Sequence, residues 1–544
     1  MPAVHIHNNV VTGPEEEYIP AHLSFGQFMF DQLKKGGNKV ALISAETEET
    51  ITYREILQQS VDLAVALQRL GLKKNDVVCL SAENRFEFII TALAVMYCGG
   101  VLSTLNITYT PGEISHMLHM VKPKYIFVSP LAAQNIYDSI QDAPFVEKLI
   151  MYGEFEMVPS VMYNSLVNEH VNVDGFTLVD VAGNEDTLLI KCSSGTTGLP
   201  KGVMLTHVNI LTSTAHMKYY FRESMKITNH EILSALSLIP WFHAYGFIVT
   251  FTILSLNIKN VFLIRFDQQQ YLETIEKYKI NMTTIVPPLA VFLSKDPLVL
   301  KYNLRSLNEV WCGAAPLSKE VQKAISERTG LQYIKNGYGL TEVTMGCCVD
   351  LTGGDKVGSC GIPGPGVQIK VIDLETGQKL GPGKEGELCI KSAMRMKGYV
   401  GDPAASAAAL DADGFVRTGD IGYYDADGYI YIVDRLKELI KYNGFQVAPA
   451  ELEALLLQHP GVAEAGVVGM PDERAGELPA AFVVRQPAAH VTAQHLVDHV
   501  AAKVSPTKYL RGGVYFIDEI PKTPAGKILR RELKKMLPAP KSKL

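Results

Sequence analysis

Ser193-Ser-Gly-Thr-Thr-Gly-Leu-Pro-Lys-Gly202 is a run of residues with the chemistry to grip an anion. Gly195, Gly198 and Gly202 let backbone N–H groups approach a phosphate that a side chain would hold away. The hydroxyls of Ser193, Ser194, Thr196 and Thr197 add donors, and Lys201 adds a charge suited to phosphate. The spacing is not that of the G-x-x-x-x-G-K-[ST] loop, since the glycine-to-lysine separation differs and no Ser or Thr follows the lysine. A polar turn between two strands is the other reading of the same residues.

Such a loop needs a strand to hold it, and Thr187–Lys191 is a short strand-like lead-in. From about residue 40 to 400, strand-like runs alternate with helical patterns, as in doubly wound α/β domains. Val77–Ser81, Tyr125–Val128, Lys148–Met151, Leu233–Ile239, Val261–Phe266, Thr283–Val286, Glu309–Trp311 and Tyr333–Asn336 are the expected strands. Ligands in such sheets sit outside the carboxyl ends of the strands. The segments Pro240–Gly246, Gly313–Pro316 and Gly337–Glu342 fall there. Val357–Asp434 changes to short strands with Gly-Pro turns, predicting a small β subdomain. Beyond Asp434 the chain is richer in alanine and reads as a separate α+β unit. It has a helix from Pro449, strands at Gly461–Val468 and Ala481–Val484, and helices at His495–Lys503 and Lys527–Leu537.

The chain's 544 residues exceed one core, so two or more domains are expected. A composition of 47% apolar and 20% charged residues is that of an ordinary globular protein. The net charge of −6 argues against generic nucleic-acid binding. Residues 522–543 are locally basic, with eight Lys/Arg against Glu532 alone; a solvated helix or a phosphate-facing role both fit. The eight scattered cysteines have no C-x-x-C or zinc spacing, which predicts reduced thiols. Met1–Pro20 lacks the pattern of a secretory signal. Phe88–Leu105, the most apolar stretch, reads as a buried helix turning through Gly99-Gly100 into a strand rather than as a membrane span. The terminal Ser542-Lys543-Leu544 is a peroxisomal address, so the import receptor is an expected partner and the peroxisome the expected location.

Five ordered segments carry a resemblance: Ser193–Gly202, Gly337–Glu342, Thr418-Gly-Asp420, Asp434-Arg435-Leu-Lys437 and Pro521-Lys-Thr-Pro-Ala-Gly-Lys527. Together they resemble the adenylate-forming enzymes, namely the acyl-CoA synthetases, 4-coumarate–CoA ligases and beetle luciferases, over nearly the whole chain. Gly444–Glu453 and the Ser-Lys-Leu end look most like the insect luciferase-like fatty acyl-CoA synthetases. The implied fold is α/β: a large N-terminal domain (1–436) of doubly wound subdomains plus a small β subdomain, and a smaller α+β lid (437–544). The implied partners are a small carboxylic acid, ATP, Mg²⁺ and CoA, with no nucleic acid and no membrane span, and a monomer is expected.

The resemblance implies a role for each matching residue. The glycine loop and Lys201 would hold the β- and γ-phosphates. Thr341 would donate to a phosphate oxygen, and Glu342 would ligate Mg²⁺, which takes carboxylate oxygen. Asp420 would accept the ribose hydroxyls, with Arg435 in its motif; a turn-stabilising Asp is the alternative. Tyr338, between Gly337 and Gly339, would stack on adenine over a floor of Gly313, Ala314, Ala315 and Pro316, with Asn336 near the amino group; a core-packing Tyr is the alternative. His243 would cap the acyl pocket, although a lone His in an apolar run also suits a core. Lys527 would serve acid activation, and Lys441, beside Gly444 and Phe445, the thiol step, with Gln446 following AMP. Surface lysine is the plain reading of each.

Three pocket positions separate the functions within this resemblance. Luminescent beetle enzymes carry arginine twelve residues after the loop lysine, where this chain has Ser213. They place serine three residues after the motif glutamate, where this chain has Met345, and their pocket phenylalanine corresponds to Tyr245. A flexible apolar Met suits an alkyl chain. The expectation is a ligase for medium- or long-chain fatty acids, with luciferase and 4-coumarate-type ligase as alternatives. A nucleotide-binding regulator without catalysis is disfavoured by the joint presence of Lys527, Glu342, Asp420 and Arg435.

Overall fold

A computed structural model describes residues 4–15, 19–20, 22–153, 160–193, 200–314, 317, 319–331, 333–352, 356, 358–443, 445–472, 474–487, 489–523 and 526–538. Two large sheets dominate the body. In the first, Thr187–Ser193, Val101–Thr104, Val77–Ser81, Tyr125–Val128 and Lys148–Met151 run parallel, and Lys201–Thr206 and Gly398–Tyr399 close one edge antiparallel. In the second, Val40–Ser44, Lys259–Phe262, Ser234–Ser237, Met282–Ile285, Glu309–Cys312 and Tyr333–Leu340 run parallel. The strands at 77–81, 125–128 and 148–151 have the bounds that the sequence predicts.

Helices Phe25–Gly36, Tyr53–Arg69, Phe86–Tyr97 and Ala244–Ser255 share one apolar core with strands of both sheets. Every residue from Phe88 to Tyr97 is buried there, which accounts for the membrane-like hydropathy of that segment. No helix among the described residues is long and apolar enough to cross a membrane. All eight cysteines are free thiols.

An antiparallel sheet of Gln368–Ile372, Gly386–Lys391, Val416–Tyr424 and Ile430–Arg435 forms the β subdomain. Its outer strands, His5–His7 and Val10–Thr12, come from the far N-terminus, a long-range pairing with no local sequence signal. The body's last strand ends at Arg435, and Ile440–Tyr442 opens the sheet of the C-terminal unit with Phe445–Val447, Val462–Asp472, Gly476–Arg485 and Gly513–Phe516. Helices Pro449–Leu457 and Ala493–Ala501 pack on that sheet, and the last helix is shorter than expected, Arg530–Lys535.

One local expectation changes. Gly337–Leu340 continues the strand begun at Tyr333 and pairs antiparallel with Met345–Val349 instead of turning into a helix. Glycine permits this close pairing: a Cβ at Gly339 would fall 1.5 Å from the Met345 carbonyl oxygen.

Candidate active site

The loop residues Ser194, Gly195, Thr196, Thr197 and Gly198 lie outside the described residues, as do Ala315, Pro316, Gly444, Ser542–Leu544 and the side chains of Ser193 and Gln446. The strands flanking the loop are described and pair antiparallel, with Ser193 opposite Lys201. Lys201 Nζ stands 4.8 Å from the centre of the Tyr399 ring, a cation–π contact. The Tyr399 hydroxyl donates to Glu342 Oε1 at 3.0 Å. One ring therefore joins the loop lysine to the motif glutamate. Tyr399 is absent from the sequence reading, because its strand, Gly398–Tyr399, reaches the site only by pairing with Lys201–Thr206.

Thr341-Glu342-Val343 forms a short 3-10 turn, and the next two residues leave it through left-handed backbone, Thr344 at φ 55° and Met345 at φ 97°. Two non-glycine residues in that region mark a turn held by its surroundings. Ser213 supplies part of that hold: fully buried, it donates its hydroxyl to the Thr344 carbonyl at 2.8 Å. Met345 is buried against the core shared by the two sheets, where Tyr245 also packs. Tyr245 donates to the Trp311 carbonyl at 3.0 Å, and its ring lies 3.3 Å from where a Cβ on Gly313 would be. Ala314, next in line, also has left-handed backbone, φ 72°.

Tyr338, Asp420 and Arg435 meet on the β subdomain. The Tyr338 hydroxyl donates to Asp420 Oδ2 at 2.7 Å, and Arg435 Nε lies 3.1 Å from Asp420 Oδ1. Asp420 and Arg435 are cross-strand partners, so the sheet register sets this pair. Burial raises the Asp420 carboxyl above the usual carboxylate value, while Arg435, the Tyr338 hydrogen bond and Lys527 pull it down. A carboxylate has about four acceptor directions, so both oxygens retain capacity for a ligand's hydroxyls. Tyr338 itself is buried in the β-subdomain core, the packing alternative that its sequence context left open. Asn336 donates to the Ser359 carbonyl at 3.2 Å, while its buried Oδ1 has no partner among the described residues. An orphan buried acceptor is matched by a ligand amino group.

Lys527 comes to this cluster from the C-terminal unit. Burial and the Arg435 charge lower its pKa, against the opposing pull of Glu438 and Asp420. Its backbone is fixed in a tight turn, with Lys527 N donating to Thr523 Oγ1 at 3.1 Å and Thr523 N to the Lys527 carbonyl at 2.7 Å. Its ammonium has no hydrogen bond or ion pair among the described residues. Arg530, a residue that the motifs did not single out, braces the turn: it binds both Glu453 oxygens at 2.8 Å, pairs with Glu438 and donates to the Val467 carbonyl. Lys441 is elsewhere. It sits exposed on the hairpin Ile440–Tyr442/Phe445–Val447, whose tip also exposes Phe445.

His243 precedes helix Ala244–Ser255, and its buried Nε2 has no partner among the described residues. Burial, followed by the nearby Lys191 charge, lowers its pKa to about 4, so the ring is neutral near pH 7. Lys191, like Tyr399 and Arg530, is a residue that the sequence reading passed over as functional. Fully buried, it donates to Thr104 Oγ1 at 2.8 Å and to the carbonyls of Trp241 at 3.2 Å and Phe242 at 2.8 Å. It thereby fixes the two residues that lead into His243, and burial holds its own pKa well below the ordinary lysine value.

Among the described residues no group of three or more His, Cys, Asp or Glu is arranged to hold a metal ion. A lone carboxylate such as Glu342 suits Mg²⁺ that arrives with phosphates, since that ion keeps waters and takes one or two protein carboxylates.

Residues 29–400 match the AMP-binding enzyme family, and residues 451–527 match the AMP-binding enzyme C-terminal domain. The chain is 39% identical over 545 residues to luciferin 4-monooxygenase of Photuris pensylvanica, an alignment covering 98% of this chain and 99% of that one. It is 38% identical over 531 residues to probable 4-coumarate–CoA ligase 1 of Dictyostelium discoideum, covering 94% and 95%. ATP-bound MatB from Rhodopseudomonas palustris superposes with a TM-score of 0.84 at 26% identity, over 94% of this chain and 99% of that one. With the fold, the ordered motifs and these matches in agreement, the chain belongs to the AMP-binding, adenylate-forming enzyme superfamily, whose acid–thiol ligases use ATP, Mg²⁺ and CoA.

Proposed function

We propose that this enzyme activates a medium- or long-chain fatty acid as its acyl-adenylate and passes the acyl group to CoA. The observation that carries the chemistry is Lys527, a lysine with no ion pair among the described residues, delivered by the C-terminal unit to the Tyr338–Asp420–Arg435 cluster. A carboxylate oxygen attacking the α-phosphorus of ATP breaks the α–β phosphoanhydride bond and expels pyrophosphate, and the CoA thiol then displaces AMP. A preorganised cation stabilises the charge that develops as the two anions meet. Asp420 receives the ribose hydroxyls and Asn336 Oδ1 the adenine amino group. The glycine loop and Lys201 hold the outer phosphates, beside Thr341 and Glu342. Bound Mg²⁺ supplies charge neutralisation on the phosphates, with Glu342 as its protein ligand. His243 stays neutral and adds no charge where the acid enters.

The fatty-acid reading rests on residue type at three positions, Met345, Tyr245 and Ser213, of which Met345 and Tyr245 pack with the shared apolar core. Met345 is buried in that core and Tyr245 lies against it, the Tyr245 hydroxyl is taken by Trp311, and the Ser213 hydroxyl is taken by Thr344. An alkyl chain needs no polar partner there. The identity to the Photuris luciferin 4-monooxygenase favours a second reading, adenylation of luciferin followed by oxidation by O₂ with light. AMP release measured across fatty acids of graded length, with coumarate and luciferin in the same series and CoA present or omitted, separates these. CoA-dependent turnover highest on fatty acids is the expected result. Turnover on coumarate equal to the best fatty acid, or bright emission with luciferin, overturns it.

A further inference from the structure

Helix Pro287–Lys295 of the body meets the C-terminal unit at both of its ends. At its start, a Cβ on Gly526 would fall 2.9 Å from Val286 Cγ2 and 3.3 Å from the Pro288 ring, so the residue before Lys527 lies flat on the first turn. At its end, Lys295 Nζ donates to the Leu457 carbonyl at 2.7 Å and to the Val462 carbonyl at 2.9 Å. The two contacts are one helix length apart, roughly 12 Å at 1.5 Å per residue.

The Lys295 acceptors are not incidental. Leu457 ends helix Pro449–Leu457, so its carbonyl is one of the unsatisfied acceptors at the negative end of that helix dipole, where a cation is stabilising. Val462 opens strand Val462–Asp472, which carries the core of the C-terminal sheet. Both acceptors belong to rigid elements and move with that unit as a body. A lysine in the last turn commonly serves its own helix, but both hydrogen bonds of Lys295 cross to the other unit. Burial lowers its pKa, the mark of an ammonium held out of water by main-chain carbonyls.

We propose that Lys295 is a positioning residue for acid activation. It clamps the C-terminal unit in the orientation that brings Lys527 to Asp420 and Arg435, and it must release Leu457 and Val462 before Lys441 can take that place. The inference rests on the ligase reading above and deepens it: one body lysine weights the two halves of the reaction against each other. The C-terminal unit would turn about the connection between Arg435 and Ile440, and it is free to do so only once this clamp opens.

The test reads the two half-reactions separately in the full-length enzyme. Acid-dependent ATP–pyrophosphate exchange reports activation, and thioester formation from supplied acyl-adenylate reports transfer. Lys295→Met keeps the side-chain length and removes the donors; activation should fall about tenfold while transfer is unchanged or faster. Lys295→Arg, which keeps charge and donors, should recover most of the loss. Lys295→Gln, neutral and too short, is the second variant should the methionine form fail to fold. Spin labels at Leu300 and Gln494, both on exposed positions, follow the separation of the two units without any activity. The wild type should give a narrow distance distribution and Lys295→Met a broader one. Equal loss of both half-reactions, or no change in either half-reaction and in the distances, overturns the clamp. Absence of exchange in the wild type with every acid tried overturns the ligase reading instead, and the label distances alone then decide the clamp.

Discussion

Lys201 Nζ stands 4.8 Å over the centre of the Tyr399 ring, and the hydroxyl of that ring donates to Glu342. The proposed phosphate-binding lysine and the proposed Mg²⁺ ligand are thus spaced by one aromatic side chain. Burial and the Glu342 carboxylate both raise the Tyr399 pKa, so the hydroxyl remains a donor at any physiological pH. Tyr399→Phe should keep the platform for Lys201 and free Glu342, raising the Mg²⁺ concentration needed for half-maximal exchange several-fold with little effect on the ATP KM. Tyr399→Ala should raise both. Magnesium titrations at fixed ATP check this, and unchanged titrations in both variants refute it.

The two lysines of the C-terminal unit should fail in different steps. Lys527→Ala removes the cation that the C-terminal unit brings to the Asp420 cluster, and loss of one such preorganised donor costs about 10²–10³ in rate. Acid activation should drop by that factor, while thioester formation from supplied acyl-adenylate survives. Lys441→Ala, on the exposed hairpin in this orientation, should activate acid almost normally and transfer slowly. Loss of the same half-reaction in both variants is the outcome that rejects rotation of the unit.

His207 and His243 make folding stability fall in mild acid. Burial lowers both to about 4 from the unfolded value of 6.5. Between those values the unfolded chain binds protons that the folded one does not, so stability declines as pH falls from 6.5 toward 4 and is flat above 6.5. Each pH unit within that window is worth about 1.4 kcal/mol per histidine. His207 Nδ1 accepts the Phe25 N–H at 3.2 Å, so protonation also breaks that bond. His207→Asn keeps an acceptor in place, and its melting temperature between pH 6.5 and 4 should decline less than that of the wild type. An identical decline rules out His207 as a source.

An N-terminal fluorescent fusion should collect in peroxisomes, and removal of Ser542–Leu544 should leave it cytosolic. Diffuse fluorescence with the tripeptide intact contradicts the address.

Much of this protein was legible in its residues because the signals are local. The strands at Val77–Ser81, Tyr125–Val128 and Lys148–Met151 are short apolar runs bounded by turn residues, and the fold adopts them unchanged. The motif order was enough to point to the family, and it nominated Lys527, Asp420, Glu342 and Lys201 as the residues to test. What the tertiary structure decided is long-range. Tyr399 reaches Glu342 through strand pairing with Lys201–Thr206, and Lys191 finds the carbonyls ahead of His243 about fifty residues along the chain. The N-terminal strands join a sheet whose other members begin at Gln368. Ser213 shows the limit best: its place twelve residues after the loop lysine is read from the sequence, whereas only the fold shows that its hydroxyl is given to the Thr344 carbonyl. Residue type fixes what a side chain can donate or accept, and only packing fixes which partner it meets.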